Sequence, residues 1–301
     1  MVQTGMPHIS VCVCTYKRPN LLERLLGKLS GQETSGQFTY SIVVADNDYA
    51  ESAKNVVEEF AVTSSVPVIY CMEPRQNVAM ARNKAIANAR GDYVAFIDDD
   101  EFPAQGWLYN LLMTCKAYNV TGVLGPVMSY FEHEPAQWLL DGKFFDRPRY
   151  ETGYRLSMNE SRTGNLLFHA RILVGVKEPF RSEFGTGGED IDFFARMMES
   201  EHVFVWCDEA VVYELVTPDR CTRQYFVRKA LLRGNNILKV PTGRTANLFK
   251  SFLAVPFYGM ALPMMLLFCK EHTFMYWLIK FCDHAGRILG LLRINPIGEK
   301  V

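Results

Sequence analysis

The sequence predicts an α/β fold: a mostly parallel sheet flanked by helices, followed by a C-terminal hydrophobic helical segment. Three observations carry this expectation. Short apolar runs alternate with helical patterns through the first third of the chain, each run ends in a polar cluster, and residues 251–269 hold no charge at all. Strands covered on both faces read as continuous apolar runs, and helices that connect them make the sheet parallel.

The elements follow in order. Ile9–Cys14 reads as a buried strand, with Cys12 and Cys14 on one face. Pro19 opens a helix whose Leu21, Leu22, Leu25, Leu26 and Leu29 share a side. Ser41–Ala45 is a second strand, Val56–Val62 belongs to a helix, and Val68–Cys71 is a third strand. Asn77 caps a helix running to Ala89, which Gly91 ends. Tyr93–Ile97 is a fourth strand and runs into Asp98, Asp99, Asp100 and Glu101. Trp107–Tyr118 is helical, and Val120–Val127 reads as a strand interrupted by Gly122 and Gly125. Residues 129–161 form a long irregular stretch rich in aromatics, which suits a functional loop. Gly187 and Gly188 lead into a helix with Ile191, Phe194 and Met198 on one side, and Val203–Trp206 and Ala210–Tyr213 are short strands.

Composition narrows the function. Of 301 residues, 49% are hydrophobic, and 32 Lys and Arg balance 33 Asp and Glu to a net charge of −1. That balance excludes a strongly basic nucleic-acid binder and a highly charged disordered chain. The eight Cys lie scattered without a CxxC or Cys/His cluster, so they read as reduced thiols rather than a disulfide framework or a zinc site. The N-terminal MVQTGMPHIS has neither a basic segment nor a long apolar run, so no signal peptide is expected and the catalytic part is placed in the cytoplasm.

The C-terminal quarter has a different character. From Arg220 to Lys250 there are eight Lys and Arg, among them Lys239 and Arg244, and no Asp or Glu. Ser251–Cys269 follows, close to the length that spans a bilayer, although Pro256 and Pro263 would kink it. Thr273–Leu292 is apolar but punctuated by Lys280, Asp283 and Arg287, as in a helix lying at a membrane interface. The expected organisation is a catalytic domain over 1–218, a basic helical linker over 219–250 and a membrane-associated helical region over 251–301. Basic residues beside the apolar segment suit an anionic lipid surface.

The strongest chemical signal is the run of carboxylates after the fourth strand. Adjacent acids repel and bury poorly, and a hard divalent cation resolves the repulsion. Mg²⁺ or Mn²⁺ takes one or two protein carboxylates and fills its shell with phosphate and water. Strand alternation would point Asp98 and Asp100 one way and Asp99 the other. The plain alternative is a solvated acidic turn. Arg82 lies on the sheet-facing side of its helix and needs an anionic partner, either a diphosphate or one of these acids. Asp190 begins a helix, where it serves either as a cap or as a general base placed by a Gly-Gly turn.

These residues sit in motifs that resemble the family 2 inverting glycosyltransferases of GT-A fold. The matching pieces are VCVCTYKRPNLLERLL, VVADND, NVAMARNKAIANARGDYVAFIDDDEFPAQGWL, TGNLLF and GGEDIDFF, in the family's order over residues 8–235. Within the family the chain is most similar to bacterial glucosyltransferases of the succinoglycan type, which build exopolysaccharide repeats on a lipid carrier. The resemblance implies that Thr15, Tyr16 and Arg18 line a nucleotide pocket and that Asp46 hydrogen-bonds uracil. It implies that Arg82 reaches the nucleotide or its phosphates, that Asp98 contacts the ribose side with Asp99 beside it, and that Asp100 binds the metal through a DxD motif. Asp190 would be the base and Glu189 would assist a sugar, while Trp138, Gly164 and Asn165 would border the sugar pockets. Where the family often has a metal-binding His, this chain has Tyr213 followed by Glu214. Either Glu214 substitutes, or the metal rests on Asp100 and the diphosphate alone.

The function this implies is hexose transfer, with glucose first, from a UDP-sugar to a lipid-linked oligosaccharide at the cytoplasmic face of the plasma membrane. The partners implied are the UDP-sugar, the lipid-linked saccharide, the membrane surface and other polysaccharide-assembly enzymes, with no nucleic acid. Two alternatives stand beside it: transfer onto a polyprenyl phosphate, and an inactive nucleotide-sugar-binding scaffold.

Overall fold

The computed structural model describes residues 5–185, 187–237, 244–292 and 294. The chain divides into two compact units. One joins Met1–Tyr130 with Arg147–Leu215, and the other joins Phe131–Asp146 with Val216–Val301.

The first unit is built on two sheets. β1 (His8–Thr15), β2 (Thr39–Asp46), β3 (Val68–Met72) and β4 (Tyr93–Asp98) alternate with α1 (Pro19–Leu29), α2 (Lys54–Thr63) and α3 (Val78–Asn88). β5 (Glu101–Pro103), α4 (Trp107–Ala117), β6 (Gly122–Leu124) and β7 (Val127–Tyr130) follow, and after α5 (Gln137–Asp141) of the second unit come β8 (Asn165–His169), α6 (Glu189–Glu199), β9 (Phe204–Trp206) and β10 (Val212–Leu215). The large sheet runs β3-β2-β1-β4-β8-β6-β9, and the small one β5-β10-β7. Every pair in the large sheet is parallel except those of β8, which runs against both β4 and β6.

Alternation along the strands feeds two cores. Ile9, Val11, Val13, Ile42, Val44, Ala95 and Ile97 point to one face and meet Leu22, Leu25, Leu26 and Leu29 of α1 with Trp107 and Leu111 of α4. Cys12, Val43, Val94 and Phe96 point to the other and meet Ala79 and Ala85 of α3 with Phe193 and Phe194 of α6. The register fixes where the strand ends lie. Thr15 pairs with Asp46, and Cys14 pairs with Asp98. The polar ends of β1, β2 and β4 therefore finish at one level.

Four local expectations differ from the structure. The Val120–Val127 stretch is two strands in different sheets, because the chain leaves the large sheet at Gly125, where a Cβ would stand 2.3 Å from the Ala210 carbonyl oxygen. α3 ends at Asn88, earlier than expected, and its flanking Ala89 is extended, so Gly91 is not its cap. In α6 the buried face is Phe193, Phe194 and Met197, while Ile191 is exposed. β8, unassigned from sequence, is a central strand of the sheet.

The second unit contains α5 with α7 (Arg223–Ile237), α8 (Arg244–Phe268) and α9 (Glu271–Leu291). The stretch expected as a linker forms α7 and the start of α8, and Lys239 lies outside the described residues. Trp138, Leu139, Phe226 and Met275 are the unit's buried core. Trp138 packs edge-on against Phe144 and Phe226 at 5.4 and 5.8 Å.

Asn165 locks the two sheets of the first unit together. Its Oδ1 accepts from Trp107 Nε1 at 2.7 Å, and its Nδ2 donates to the carbonyls of Pro126 and Ala210 at 3.0 and 2.8 Å. Asn165→Ala leaves a buried indole N–H and two carbonyls without this partner. Chemical denaturation followed by tryptophan fluorescence is expected to show a loss of about 3 kcal/mol with an unchanged slope.

Candidate active site

β4 ends in four consecutive acids, and the fold treats each one differently. Asp99 turns back toward β1, accepting from Thr15 Oγ1 at 2.8 Å and from Arg18 Nη1 at 3.0 Å. The same guanidinium nitrogen lies 3.3 Å from Asp100 Oδ2. Asp98 faces α3, with Oδ1 3.8 Å from Arg82 Nη2. Glu101 starts β5, is buried, and accepts the Asp98 backbone N–H at 3.0 Å. Strict strand alternation does not continue past Asp98, because residues 99 and 100 form a turn. Arg18 thus draws Asp99 and Asp100 together, while Asp98 stands apart.

Burial raises the pKa of Asp98, Asp99 and Glu101, and the shift is large for Glu101. For Asp98, Arg82 opposes that effect, and for Asp99 the Thr15 hydroxyl does. Glu101 has its neighbour Asp98 adding to the effect of burial, so it is the member of the group that holds a proton most readily. Gly164 makes this crowding possible. A Cβ there would stand 2.9 Å from Glu101 Oε1 and 3.1 Å from Asp98 Oδ2.

The second carboxylate group comes from α6. Gly187 and Gly188 take φ of 125° and 98°, the left-handed region where glycine is favoured, and turn the chain into the helix. Glu189 and Asp190 are its first residues, with Gly188 as the N-cap. Asp190 is therefore not the helix cap; among the described residues its Oδ1 accepts only the adjoining Ile191 N–H, at 2.9 Å. The segment before this turn is tied to α3 by two asparagines. Asn77 Nδ2 donates to the Ser182 carbonyl at 2.8 Å while its Oδ1 caps α3 at Met80 N. Asn83 exchanges two hydrogen bonds with the Phe180 backbone, at 2.6 and 3.0 Å.

Arg82 joins the two carboxylate groups. It is 8% exposed, its Nη1 donates to Glu189 Oε1, and its guanidinium lies over the Phe180 ring at 5.5 Å. Burial opposes its charge, but Asp98, Glu189 and Asp190 outweigh burial and its pKa is raised. Of the sheet-facing side expected from sequence, Ala81, Arg82 and Ala85 are buried, Val78 and Ile86 are half-buried, and Ala79, not expected on it, is buried as well. The second oxygen of Glu189, Oε2, is buried without a hydrogen-bond partner among the described residues.

A cleft of about 350 Å³ opens over these residues, lined by Cys14, Thr15, Tyr16, Arg18, Asn47, Val78, Ala81, Arg82, Asp98, Asp99 and Asp100. Thr15, Tyr16, Arg18, Arg82 and the three aspartates thus share one cavity at the carboxyl ends of the strands, where ligands of open α/β sheets bind. Cys14 and Asn47 also line it, and Asn47 belongs to the polar cluster Asp46-Asn47-Asp48 that the sequence expects to join the site at the end of the second strand. Burial pushes the Cys14 thiol up to about 12, so it stays protonated. Cys14 is legible in the sequence only as a strand residue.

Other expected residues lie elsewhere. Asp46 is fully enclosed: Oδ1 accepts Asp48 N at 3.1 Å, and Oδ2 accepts Ala53 N at 2.8 Å and the Tyr70 hydroxyl at 3.1 Å. It shapes the loop that presents Asn47. Asn165 is committed to the framework described above, and Trp138 belongs to the core of the second unit. Glu214 is paired with Arg147 and sits across from Glu101 in the small sheet. Tyr213, beside it, stacks on Phe102 at 5.5 Å.

Among the described residues no three His, Cys, Asp or Glu side chains form a group that could hold a metal ion by themselves. A Mg²⁺ or Mn²⁺ site asks only one or two carboxylates of the protein when phosphate oxygens supply the rest. Asp100, on the cleft wall with its side chain 21% exposed, suits that role.

Known proteins share this architecture. Residues 10–174 match the family model described as Glycosyl transferase family 2. The succinoglycan biosynthesis protein ExoM of Rhizobium meliloti (strain 1021) is 30% identical, over 97% of this chain and 95% of its own. The glycosyltransferase AglE of Haloferax volcanii is 22% identical over 68% of this chain and 66% of its own. Among solved structures, the mannosyltransferase PcManGT from Pyrobaculum calidifontis, in complex with GDP-Man and Mn²⁺, aligns with a TM-score of 0.61 at 16% identity, over 97% of this chain and 89% of that one. S. aureus TarS 1-349 in complex with UDP aligns with a TM-score of 0.54 at 14% identity, over 98% and 94%. At these identities the structural likeness establishes the fold. By the family match and the full-length relative together, the chain belongs to glycosyl transferase family 2, with the GT-A fold.

Proposed function

We propose that the chain transfers a hexose, glucose first, from a UDP-sugar to a lipid-linked oligosaccharide of a bacterial exopolysaccharide, at the cytoplasmic face of the plasma membrane and with inversion at the anomeric carbon. The observation that carries this reading is the Arg82 bridge. One buried cation couples the acid-lined cleft to the Glu189-Asp190 helix start, so donor phosphates and a separate carboxylate meet at one place. The name of the full-length relative, a succinoglycan biosynthesis protein, supports the polysaccharide context.

In this reading Thr15, Tyr16 and Arg18 border the nucleotide, and Asp98 and Asp99 form the floor under its ribose and phosphates. Asp190 accepts the proton of the acceptor hydroxyl as that oxygen attacks the anomeric carbon. The bond to the diphosphate breaks on the opposite face, so configuration inverts. Arg82 meets the charge that grows on the leaving diphosphate. Mg²⁺ or Mn²⁺ held by Asp100 would supply further positive charge at that group. Glu214 is less suited to join it, because Arg147 already holds its carboxylate. Glu189 Oε2, buried without a hydrogen-bond partner among the described residues, is in this reading the acceptor for a sugar hydroxyl, which supports a sugar-positioning role for Glu189. Gly164 acts from behind, by leaving room for Asp98 and Glu101.

The decisive experiment is a donor screen that measures UDP release from a panel of nucleotide sugars, with Mn²⁺ or Mg²⁺ and lipid extract as the acceptor source. UDP-glucose is expected to turn over fastest, and no turnover of any donor overturns the reading. Asp190→Asn is expected to lower kcat by about 10²–10⁴-fold, while UDP affinity by calorimetry stays within about twofold of the parent. A scaffold would instead keep its function in that variant. Chelation of divalent ions is expected to cut turnover by at least about 100-fold, with recovery on adding Mn²⁺ and an unchanged circular dichroism spectrum.

A further inference from the structure

α8 has a surface that a helix in water does not keep. Leu248–Phe268 has a mean hydropathy of 1.7 and is long and apolar enough to cross a membrane, yet only 6% of its most apolar stretch is buried. Phe249, Leu253, Phe257, Met260, Met264 and Leu267 recur at helical spacing and are each 56–75% exposed. They form one continuous apolar stripe, of the kind that marks an interaction surface. The other side of α8 packs on α9. Ser251 Oγ lies 3.0 Å from His284 Nδ1, and Tyr258 meets Trp277 at 5.3 Å.

Length and composition alone allow this helix either to cross a bilayer or to lie in it. The neighbours of α8 decide between the two. Ser251 sits beside His284 and Tyr258 beside Trp277, so α8 and α9 run antiparallel along the same length. α9 in turn runs parallel to α7. Arg223 Nε donates to Glu271 at 3.0 Å near one end, and Arg233 Nε donates to Asp283 at 2.8 Å further along. Their backbones touch, since a Cβ on Gly286 would stand 2.3 Å from the Leu231 carbonyl oxygen. If α8 crossed the hydrocarbon, α9 and α7 would lie beside it at the same depth. Lys280, Asp283 and Arg287 of α9 and Arg228, Lys229 and Arg233 of α7 would then enter the apolar layer, each at a cost. Lying flat asks for none of this. The stripe then sinks into one leaflet, and the charged helices stay at the water side.

Charge at the ends of the stripe names the surface. Lys250 and Lys270 bracket it and are both exposed, so their stems can follow the apolar face while their ammonium groups reach headgroups. The stretch between them carries no acid. A helix of this length laid in the plane presents about 30 Å of apolar edge between two cations, which suits anionic phospholipid.

We propose that α8 is a monotopic membrane seat: it lies flat in one leaflet of an anionic bilayer through the Phe249–Leu267 stripe and does not cross it. The proposal deepens the membrane attachment in the functional reading above and rests on it for its biological purpose. Cys269, exposed at the turn into α9, is a built-in reporter of the side on which that turn lies.

The test uses the full chain and sealed vesicles of phosphatidylcholine containing about one-third phosphatidylglycerol, with phosphatidylcholine alone as the comparison. The protein is expected to float with the anionic vesicles and less with the neutral ones. A membrane-impermeant maleimide added outside is expected to label Cys269 as fully before detergent as after it, read by peptide mass spectrometry. Phe257→Glu combined with Met260→Glu is expected to weaken flotation by at least about tenfold and to leave UDP release from the soluble donor unchanged. Cys269 labelled only after detergent means that the helix crosses, and overturns the proposal. So does absence of flotation with a solution mass of two chains that the double variant reduces to one, because a second copy then covers the stripe. The labelling arm uses the unaltered protein and does not depend on the variant folding. Flotation with external labelling but no turnover of any donor would remove the transferase reading and leave the seat standing. Turnover without flotation would do the reverse.

Discussion

A guanidinium enclosed by protein must be surrounded by negative charge, and that requirement organises the catalytic unit. Arg82 is there because α3 turns Ala81, Arg82 and Ala85 toward the sheet, and small neighbours leave a long side chain room to run between helix and strands. Once enclosed, it needs carboxylates from more than one direction. One comes from the end of β4, another from the start of α6, segments far apart in sequence. The charges are mutually dependent. Without Arg82, Asp98 would face Glu189 and Asp190 with no cation between them. Without the acids, the guanidinium would be a lone buried charge. The guanidinium and the carboxylates from β4 and α6 therefore hold one another in place.

The acidic turn follows the same logic at shorter range. Four adjacent carboxylates cannot all be solved alike. Asp99 is answered by a hydroxyl and Arg18, Asp98 by Arg82, and Glu101 by burial that favours its protonated form. The small sheet makes this division possible. β5 carries Glu101 inward beside Glu214 of β10, whose own partner is Arg147, while Phe102 and Tyr213 take the opposite face and stack. Alternation along two short strands separates an acidic face from an aromatic one.

Much of this was legible in the sequence because it follows local rules. Strand ends were marked by apolar runs stopping at polar residues, and the register of β1 with β2 and β4 then brought three such ends together. Arg82 was legible because a cation on an apolar helix face is an anomaly in a periodic pattern. The parts that were not legible depend on contacts between distant residues. β8 reads as an ordinary apolar run, and only its neighbours on both sides make it antiparallel. Ile191 and Phe193 cannot be ranked by periodicity over a single helical turn, and the packing of Phe193 against Phe180 and Phe168 decides which is buried. Asn83 carries no pattern and Asn77 reads only as a helix cap, yet both hold the segment that leads to Asp190.

Hydrogen-bond saturation separates framework from chemistry among residues that look alike in sequence. Asp46 and Asp190 both follow motif glycines or apolar strands and both carry one carboxylate. Asp46 receives two donors from its own loop and one from Tyr70 of β3, and is closed to solvent. Asn165 is saturated in the same way by three partners. Among the described residues Asp190 receives only the adjoining backbone N–H, and Glu189 keeps one buried oxygen with no donor. A buried acceptor without a donor is destabilising unless something supplies the donor. Folding fills such positions whenever a side chain can reach them. Among the described residues it does so around Asp46 and Asn165 and not at Glu189, so the start of α6 carries the one carboxylate of these whose demand the neighbouring side chains leave open.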